Sequence, residues 1–422
     1  MESIETYTDE QTYADTRRPV ASARTLIPAA YTSEAFFSLE RERVFAASWV
    51  AVGTTSQVSE PGEVLVADVA GRSIVVVRDG DGALHGFYNV CRHRGTRLLS
   101  EGTQQAGRRI RCPYHSWTYG LDGRCLGTPL FADSGIPEDQ QAIFDTADAG
   151  AFDKADYSLL PVAVQTFGCL VLVNLDPEPE PLASHLGDLP KRLGAHRLEE
   201  WEVARVAEYD IAANYKLVAE NFMEYYHLPW VHPGLVKVSP MESHHRWQGT
   251  GMYTGMSTSP IAPDTDAGGW QALSPLPGLG PVDAVSARFV WLFPNVALNV
   301  MPNHLFLILA TPRGPDRTQE TTYLLTHPES ASGPSTEAGV ERLATFWDKV
   351  NREDIEIVER VQQGLATTPF PGGPMCYRFE EPVHRFQNMV ADRMVGIRRT
   401  PEGDATDSTP MFATTAPAAA RT

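Results

Sequence analysis

Apolar residues recur every three or four positions in SEAFFSLERERVFAAS (33–48). Phe36, Phe37, Leu39, Val44 and Phe45 fall near one face, which predicts a helix. The texture then changes. GEVLVADVAGRSIVVVRDGDGALHGFYNV carries β-branched runs broken at Ala-Gly and Asp-Gly, the pattern of strands joined by tight turns. The Gly-Asp-Gly between IVVVR and ALHGFYN predicts a hairpin, and TYGLDGRCLG predicts another. Residues 49–130 therefore read as a small antiparallel β domain. GCLVLVNL (168–175) is strand-like and is followed by the linker DPEPEPLA. Beyond it, RFVWLFPNVALNV, HLFLILATP and TTYLLTHP read as strands, and helices are predicted near 183–197, 212–228 and 337–366. The expected fold class is α+β with antiparallel sheets. The expected divisions are an N-terminal arm and helix (1–48), a small β domain (49–160), a larger mixed domain on which the arm packs (161–399), and a tail of disordered composition (400–422).

Composition narrows the chemistry. The net charge of −18 argues against nucleic acid as a partner, because phosphate binding needs an excess of Lys and Arg. No run of eighteen apolar residues suggests a membrane span. The opening MESIETYTDEQTYADTRR is acidic and lacks the apolar core of a secretory signal. Five cysteines are sparse and odd in number, so reduced thiols and the cytoplasm are expected, and paired Cys and His suggest metal rather than disulfides.

Two such pairs stand out: Cys91-x-His93 in YNVCRHRGTRLL and Cys112-x2-His115 in RCPYHSW. Two Cys and two His can hold a structural zinc. They also suit a Rieske [2Fe–2S] centre, in which two His replace two Cys on one iron. The order Cys, His, Cys, His favours the cluster, since each loop then gives one thiolate and one imidazole. Gly95, Pro113 and Gly120 allow tight turns there, and Tyr114, Trp117 and Tyr119 are placed to shield the sulfurs and tune them. Arg92, Arg94, Arg97, Arg108, Arg109 and Arg111 form the one basic stretch, either a solvated rim or a docking site for an acidic redox partner.

CRHRG…CPYHSWTYGLDG resembles the Rieske domain of the Rieske non-haem iron oxygenases, in their terminal (alpha) components. Length and domain order extend the resemblance across nearly the whole chain. It implies a helix-grip catalytic domain after the Rieske domain, with a mononuclear Fe(II).

NYKLVAENFMEYYHLPWVHP (214–233) holds Glu224-x2-His227-x4-His232. Glu224 and His227 would share a helix face. His232 would lie roughly 140° from His227 on an ideal helix, so the helix must deform, with Pro229 as the break. The family motif has the same histidine spacing. A 2-His-1-carboxylate triad needs one more acid. In RLATFWDKVNREDIEIVERVQQGL (342–365) the apolar stripe runs through Leu343, Trp347, Val350, Ile357 and Val361, and Asp354 falls on it. A core-facing acid is costly unless paired or bound to metal. The family also places its carboxylate ligand in a C-terminal acidic helix, so both arguments meet at Asp354. Glu353, Glu356 and Glu359 read as solvated.

The resemblance further implies that electrons pass from a Rieske centre to the mononuclear iron of a neighbouring chain in a homotrimer. The acid three residues before the first iron histidine, here Glu224, bridges that route. Asn221, in the family-like ENF, is expected near the iron. Most ring-hydroxylating dioxygenases have Asp at the bridge; Glu is similar to the oxygenases of quaternary ammonium compounds such as carnitine. With no dinucleotide fingerprint in the chain, a separate NAD(P)H-dependent flavin or iron–sulfur reductase is the expected electron source. O2 and a small molecule are the expected substrates.

The substrate reading favours monooxygenation and N-demethylation of a betaine, carnitine or choline type of compound over aromatic-ring dioxygenation. Tyr226, Trp230, Trp247, Trp270, Phe289, Trp291, Phe370 and Tyr377 are the aromatic candidates for a cation-binding pocket, each equally suited to plain core. His85, His185, His196, His304, His327 and His384 are expected in turns or on the surface; His244 and His245 are candidates for the mouth of the site. A Rieske electron carrier would account for the first Cys/His set alone. It would leave Glu224, His227, His232 and Asp354 unexplained; a zinc-stabilised protein with a ligand-binding helix-grip domain is a further alternative.

Overall fold

The computed structural model describes residues 4–131, 152–258, 272–331, 336–367 and 370–411. The chain forms two compact units. One comprises Val52–Thr166 with Leu170–Pro179; the other comprises Met1–Ala51, Phe167–Cys169 and Glu180–Thr422. No helix among the described residues is long and apolar enough to cross a membrane.

The smaller unit is built on ten short strands: β1 (Val50–Thr54), β2 (Glu63–Val69), β3 (Arg72–Arg78), β4 (Leu84–Tyr88), β5 (Gly102–Gln105), β6 (Arg109–Arg111), β7 (Thr118–Gly120), β8 (Cys125–Gly127), β9 (Pro161–Phe167) and β10 (Leu170–Asn174). They pair as β1-β10-β9-β4-β3-β2-β5 and β6-β7-β8. The β3–β4 hairpin forms where Gly-Asp-Gly predicts it. Asp79 accepts from the Asp81 and Ala83 N–H groups, and Gly82 takes a positive φ of 86°. Alternate residues Val64, Val66, Val75 and Val77 turn into a core shared with Phe87, Ile110 and Trp117.

The boundary expected at residue 160 is not where the unit ends. β9 pairs with β4 (Gly86↔Val162), and β10 joins the same sheet, so this unit runs to Pro179. GCLVLVNL shows that it is a strand but not which sheet it completes.

In the larger unit, the predicted helix α1 (Glu34–Glu40) is capped by Ser33, whose hydroxyl accepts from Phe36 N–H. It is followed by a widened turn to Phe45. The helix predicted over 183–197 is split at Gly187. That residue has φ 55° and its Cα lies against the Thr250 backbone, where no side chain fits. Helix α2 (Tyr215–Phe222) and the single turn α3 (Leu228–Val231) replace the continuous helix predicted over 212–228. The long helix α4 (Thr336–Leu365) has close to its predicted length, and α5 (Glu381–Met394) follows. Seven antiparallel strands, β11 (Glu202–Ile211), β12 (His244–Arg246), β13 (Tyr253–Thr258), β14 (Ala287–Leu292), β15 (Val296–Val300), β16 (Leu305–Gly314) and β17 (Arg317–Thr326), lie in the order β11-β17-β16-β15-β14-β13-β12. Helix α4 lies on this sheet: Trp347 stacks on Phe306 of β16 at 4.7 Å, and Asn351 Nδ2 donates to Glu320 of β17. The α+β class with a Rieske-type β domain and a mixed catalytic domain is the observed one.

Residues 400–411 are not a disordered tail. Thr409 and His244 carbonyls accept from Arg246 and Met411 N–H groups, extending the edge at β12, and Asp407 pairs with Arg192 at 3.0 Å. Residues 412–422 lie outside the described residues.

The N-terminal segment is tied to this unit by a fully buried ion pair. Lys216 Nζ of α2 donates to both carboxylate oxygens of Glu40 at 2.9 Å, and Tyr215 Oη donates to Oε1 at the same distance. Glu40→Ala leaves a buried ammonium without a counter-charge and should cost about 3–5 kcal/mol. The Glu40→Met/Lys216→Met double variant should recover most of that loss in denaturant unfolding.

Candidate active site

The first Cys/His set is built on two loops with the same backbone plan. Cys91 N–H donates to Thr96 O and Gly95 N–H to Cys91 O; Cys112 N–H donates to Trp117 O and Ser116 N–H to Cys112 O. Each loop places a left-handed residue four positions after its cysteine, Gly95 (φ 72°) and Ser116 (φ 60°). Both sulfurs are buried. Tyr119 Oη accepts from Arg92 N–H and lies 3.3 Å from Cys91 Sγ, to which it can donate. Burial opposes the Cys112 thiolate, yet the Tyr114 and His115 N–H groups aimed at it hold its pKa below the ordinary value. The His93 and His115 rings are 4.7 Å apart, and His93 stacks on Trp117 at 4.9 Å. Tyr114 is exposed and shields no sulfur.

A buried His93 Nδ1 has no hydrogen-bond partner, the state expected of a metal ligand. A lone tetrahedral zinc would draw its ligand atoms to roughly 3.3–3.8 Å of one another. Among the described residues, two groups of three ligand-bearing residues have atoms within 4.8 Å of one another, and neither includes these cysteines. The donor set therefore fits a group with more than one metal atom better than a single ion.

One of those two groups is His227, His232 and Asp354. The local reason differs from the sequence expectation. Helix α2 ends at Phe222, so Glu224 and His227 do not share a helix face. Residues 223–227 instead fold around the Glu224 carboxylate. Its Oε2 accepts from Tyr226 and His227 N–H groups, and its Oε1 accepts from His227 Nδ1 at 2.5 Å. His227 and His232 then flank α3, with Pro229 in its first turn rather than at a break. Asp354 Oδ1 lies 2.7 Å from His232 Nε2 and 3.5 Å from His227 Nε2. Both Nε2 atoms and the carboxylate thus face one point. Burial disfavours both imidazolium forms, but the surrounding carboxylates outweigh it and raise both histidine pKa values. This is a cradle for a cation.

An open cavity adjoins it. Phe222, Tyr225, Phe289, Phe306 and Trp347 supply aromatic wall, Leu228, Leu235, Met256, Ile308 and Val350 supply aliphatic wall, and Asn221 lines it as expected. Of the aromatic residues predicted to line a pocket, only Phe289 does so among the described residues. Trp291 is core, Trp247 lies under the Arg192 guanidinium at 4.0 Å, and Tyr226, Trp230, Phe370 and Tyr377 are exposed. Trp270 lies outside the described residues. Phe306 and Trp347 were missed because both sit in strongly patterned core elements; only register against Asp354, seven residues after Trp347, could have pointed to the latter.

Glu353 is not simply solvated: its Oε2 accepts from His232 Nδ1 at 2.7 Å. Glu359 accepts from Ala212 N–H, and Glu356 pairs with Arg360 in solvent. The histidines expected in turns or on the surface are mostly interior: His185, His196, His304 and His327 are buried. His304 Nε2 accepts from the Trp347 indole N–H at 2.8 Å and so fixes a cavity wall. His244 is buried under Tyr225, accepts from Ser239 Oγ at 3.0 Å, and has its pKa lowered to about 3 by burial. It supports the cavity from behind. In the other clustered group, Glu200, His327 and Glu329, both acids are bridged by Arg197 at 3.0 Å.

Two iron-binding arrangements, one for a cluster and one for a mononuclear ion with open positions, on these two folds define a terminal oxygenase. Residues 48–138 match the Rieske [2Fe-2S] domain family, and residues 198–396 match the ring hydroxylating alpha subunit (catalytic domain) family. The chain belongs to the Rieske non-haem iron oxygenases. It is similar to the oxygenase subunit of glycine betaine monooxygenase from Chromohalobacter salexigens, 28% identical over 395 residues, 86% of this chain and 84% of that protein. It is also similar to the oxygenase subunit of carnitine monooxygenase from Escherichia coli K12, 29% identical over 356 residues, 81% of this chain and 84% of that protein. A solved quaternary ammonium Rieske monooxygenase, described for carnitine oxidation and inter-subunit electron transfer, superposes with TM-score 0.72 at 25% identity, covering 92% of this chain and 98% of that one. Naphthalene 1,2-dioxygenase from Rhodococcus shares the fold, with TM-score 0.71 at 22% identity, 92% of this chain and 98% of that one covered.

Asp354→Ala should abolish mononuclear iron, seen as loss of about one iron per chain by elemental analysis, with the Rieske absorption spectrum unchanged. Because protons compete for raised-pKa imidazoles, Fe(II) affinity of the iron-free protein should fall as pH drops, starting above the ordinary histidine value of about 6.5. Equilibrium dialysis across that range checks the sign.

Proposed function

We propose that this chain uses O2 and externally supplied electrons to hydroxylate an N-methyl group of a quaternary ammonium compound, a betaine, carnitine or choline type of molecule, which then loses formaldehyde. The observation that carries this reading is the cavity: an aromatic wall opening onto Glu224 and Asp354 is a receptor for a desolvated cation. Glu rather than Asp at position 224, and the names of the similar monooxygenases, point the same way.

In this reading Cys91, His93, Cys112 and His115 hold the [2Fe–2S] cluster, and His227, His232 and Asp354 hold the Fe(II). When bound, these groups supply one-electron delivery and O2 activation. The residues do the rest. Glu224 accepts from His227 Nδ1–H, which keeps the ring proton on Nδ1 and would leave Nε2 free to ligate. Phe222 and Trp347 give aromatic wall to the space for the substrate cation, Asn221 borders it, and Leu228, Leu235 and Ile308 give it apolar wall. Electrons come from a separate NAD(P)H-dependent reductase and cross between chains of a homotrimer through Glu224. Exposed Trp230 and Tyr226 beside Glu224, and exposed Tyr114 beside His115, suit surfaces that meet a second copy. Five free cysteines fit the cytoplasm.

A screen with a surrogate reductase tests the substrate: betaines, carnitine and choline against benzoates and anilines. Formaldehyde matching O2 uptake with a quaternary ammonium compound is expected. Diol or phenol formation from the aromatic acids, with no formaldehyde from any ammonium compound, would overturn the reading. Glu224→Gln, which keeps an acceptor oxygen for His227 Nδ1–H, should keep both metals and lower turnover on the order of 100-fold; normal turnover would remove Glu224 from the electron route.

A further inference from the structure

We infer that Glu353 is a positioning residue for the second iron histidine and sets the metal affinity of the site; this rests on His232 being a ligand. Glu353 and Asp354 are consecutive on α4, roughly 100° apart around the helix. They nonetheless reach the same imidazole from opposite sides: Glu353 Oε2 lies 2.7 Å from Nδ1, and Asp354 Oδ1 lies 2.7 Å from Nε2. The ring lies across the helix face, and each of its nitrogens meets one carboxylate.

The consequence is a fixed tautomer. With a metal at the site, Nε2 would ligate it, and the ring proton would be held on Nδ1, where the Glu353 carboxylate accepts and cannot donate. The ring is itself almost inaccessible, at 1% side-chain exposure, so Glu353 rather than solvent meets its Nδ1. Glu353 is about one-third exposed, and its Oε1 is 3.9 Å from Lys349 Nζ. Its carboxylate holds the Nδ1 side of the ring and so orients His232.

The two iron histidines are thus backed by different kinds of glutamate. Glu224 comes from the same short loop as His227. Glu353 reaches His232 from another element, 121 residues along the chain. It locks α3 to α4 as well as orienting the ring. The resemblance argument could not find it, because on the helix it sits beside the ligand rather than on the apolar stripe.

The test uses full-length protein carrying its oxidised cluster. Fe(II) dissociation constants are measured by anaerobic equilibrium dialysis, and the site is probed by the EPR signal of its nitric oxide adduct. Glu353→Ala should weaken Fe(II) binding by about 10–100-fold and change the symmetry of the nitrosyl signal, with the Rieske spectrum intact. Glu353→Gln, which keeps an acceptor oxygen for Nδ1–H, should restore the signal symmetry and most of the affinity. An Ala variant with affinity within about twofold of the parent and the same signal would overturn the inference. Asp354→Ala is the control. If it too retained iron, the ligand assignment itself would be wrong; if it alone lost iron, only the role of Glu353 would be.

Discussion

The larger unit depends on the folding of five residues, 223–227, around one carboxylate. Glu224 satisfies two backbone N–H groups left free by the end of α2 and at the same time accepts from His227 Nδ1–H. Had α2 continued through residue 232, the two histidines would point roughly 140° apart and could not share a metal. Ending the helix early costs backbone hydrogen bonds, and Glu224 replaces them while orienting a ligand. The residue proposed to bridge electron transfer is therefore also the one that shapes the site.

Around that cradle the structure disposes of other acids so that they do not compete for the cation. Burial pushes Glu220 up to about 7 while Tyr31 Oη and Gln387 Nε2 donate to it at 2.7 and 2.9 Å. Glu320, beneath α4, is likewise raised to about 7 by burial and accepts from Asn351. Glu40 is matched by Lys216. Each buried acid has a partner or is held toward its neutral form. The carboxylates of Glu224, Glu353 and Asp354 gather at the one place where a metal would compensate them.

How much of this was legible in the sequence follows from what each signal reports. Cys91, His93, Cys112 and His115 were readable because ligand chemistry constrains residue type at short spacing. Asp354 was readable because a helix stripe exposes an acid out of place. The same stripe misled further on: Val361 is exposed, and Gln362 is buried instead, accepting from Asn214 N–H and donating to the Tyr31 carbonyl. Periodicity reports which face is covered, not what covers it. Glu353, Phe306, Trp347 and the completion of the small sheet by β9 and β10 all depend on partners more than thirty residues away. Local pattern holds no information on those. Two of the buried histidines were misjudged for a related reason: His185 is paired through the Phe293 carbonyl and His304 through the Trp347 indole, partners that the sequence does not mark.

Two damaged chains test the central claim most directly. One lacks the cluster (Cys112→Ser) and the other lacks the mononuclear iron (Asp354→Ala); each alone should be inactive. If electrons cross between chains through Glu224, co-assembling the two should restore substantial turnover. Adding Glu224→Gln, with mononuclear iron confirmed by elemental analysis, to the chain that keeps that iron should abolish the recovery. Mixed assemblies that stay as inactive as either parent, although shown to contain both chains, would contradict transfer between neighbours.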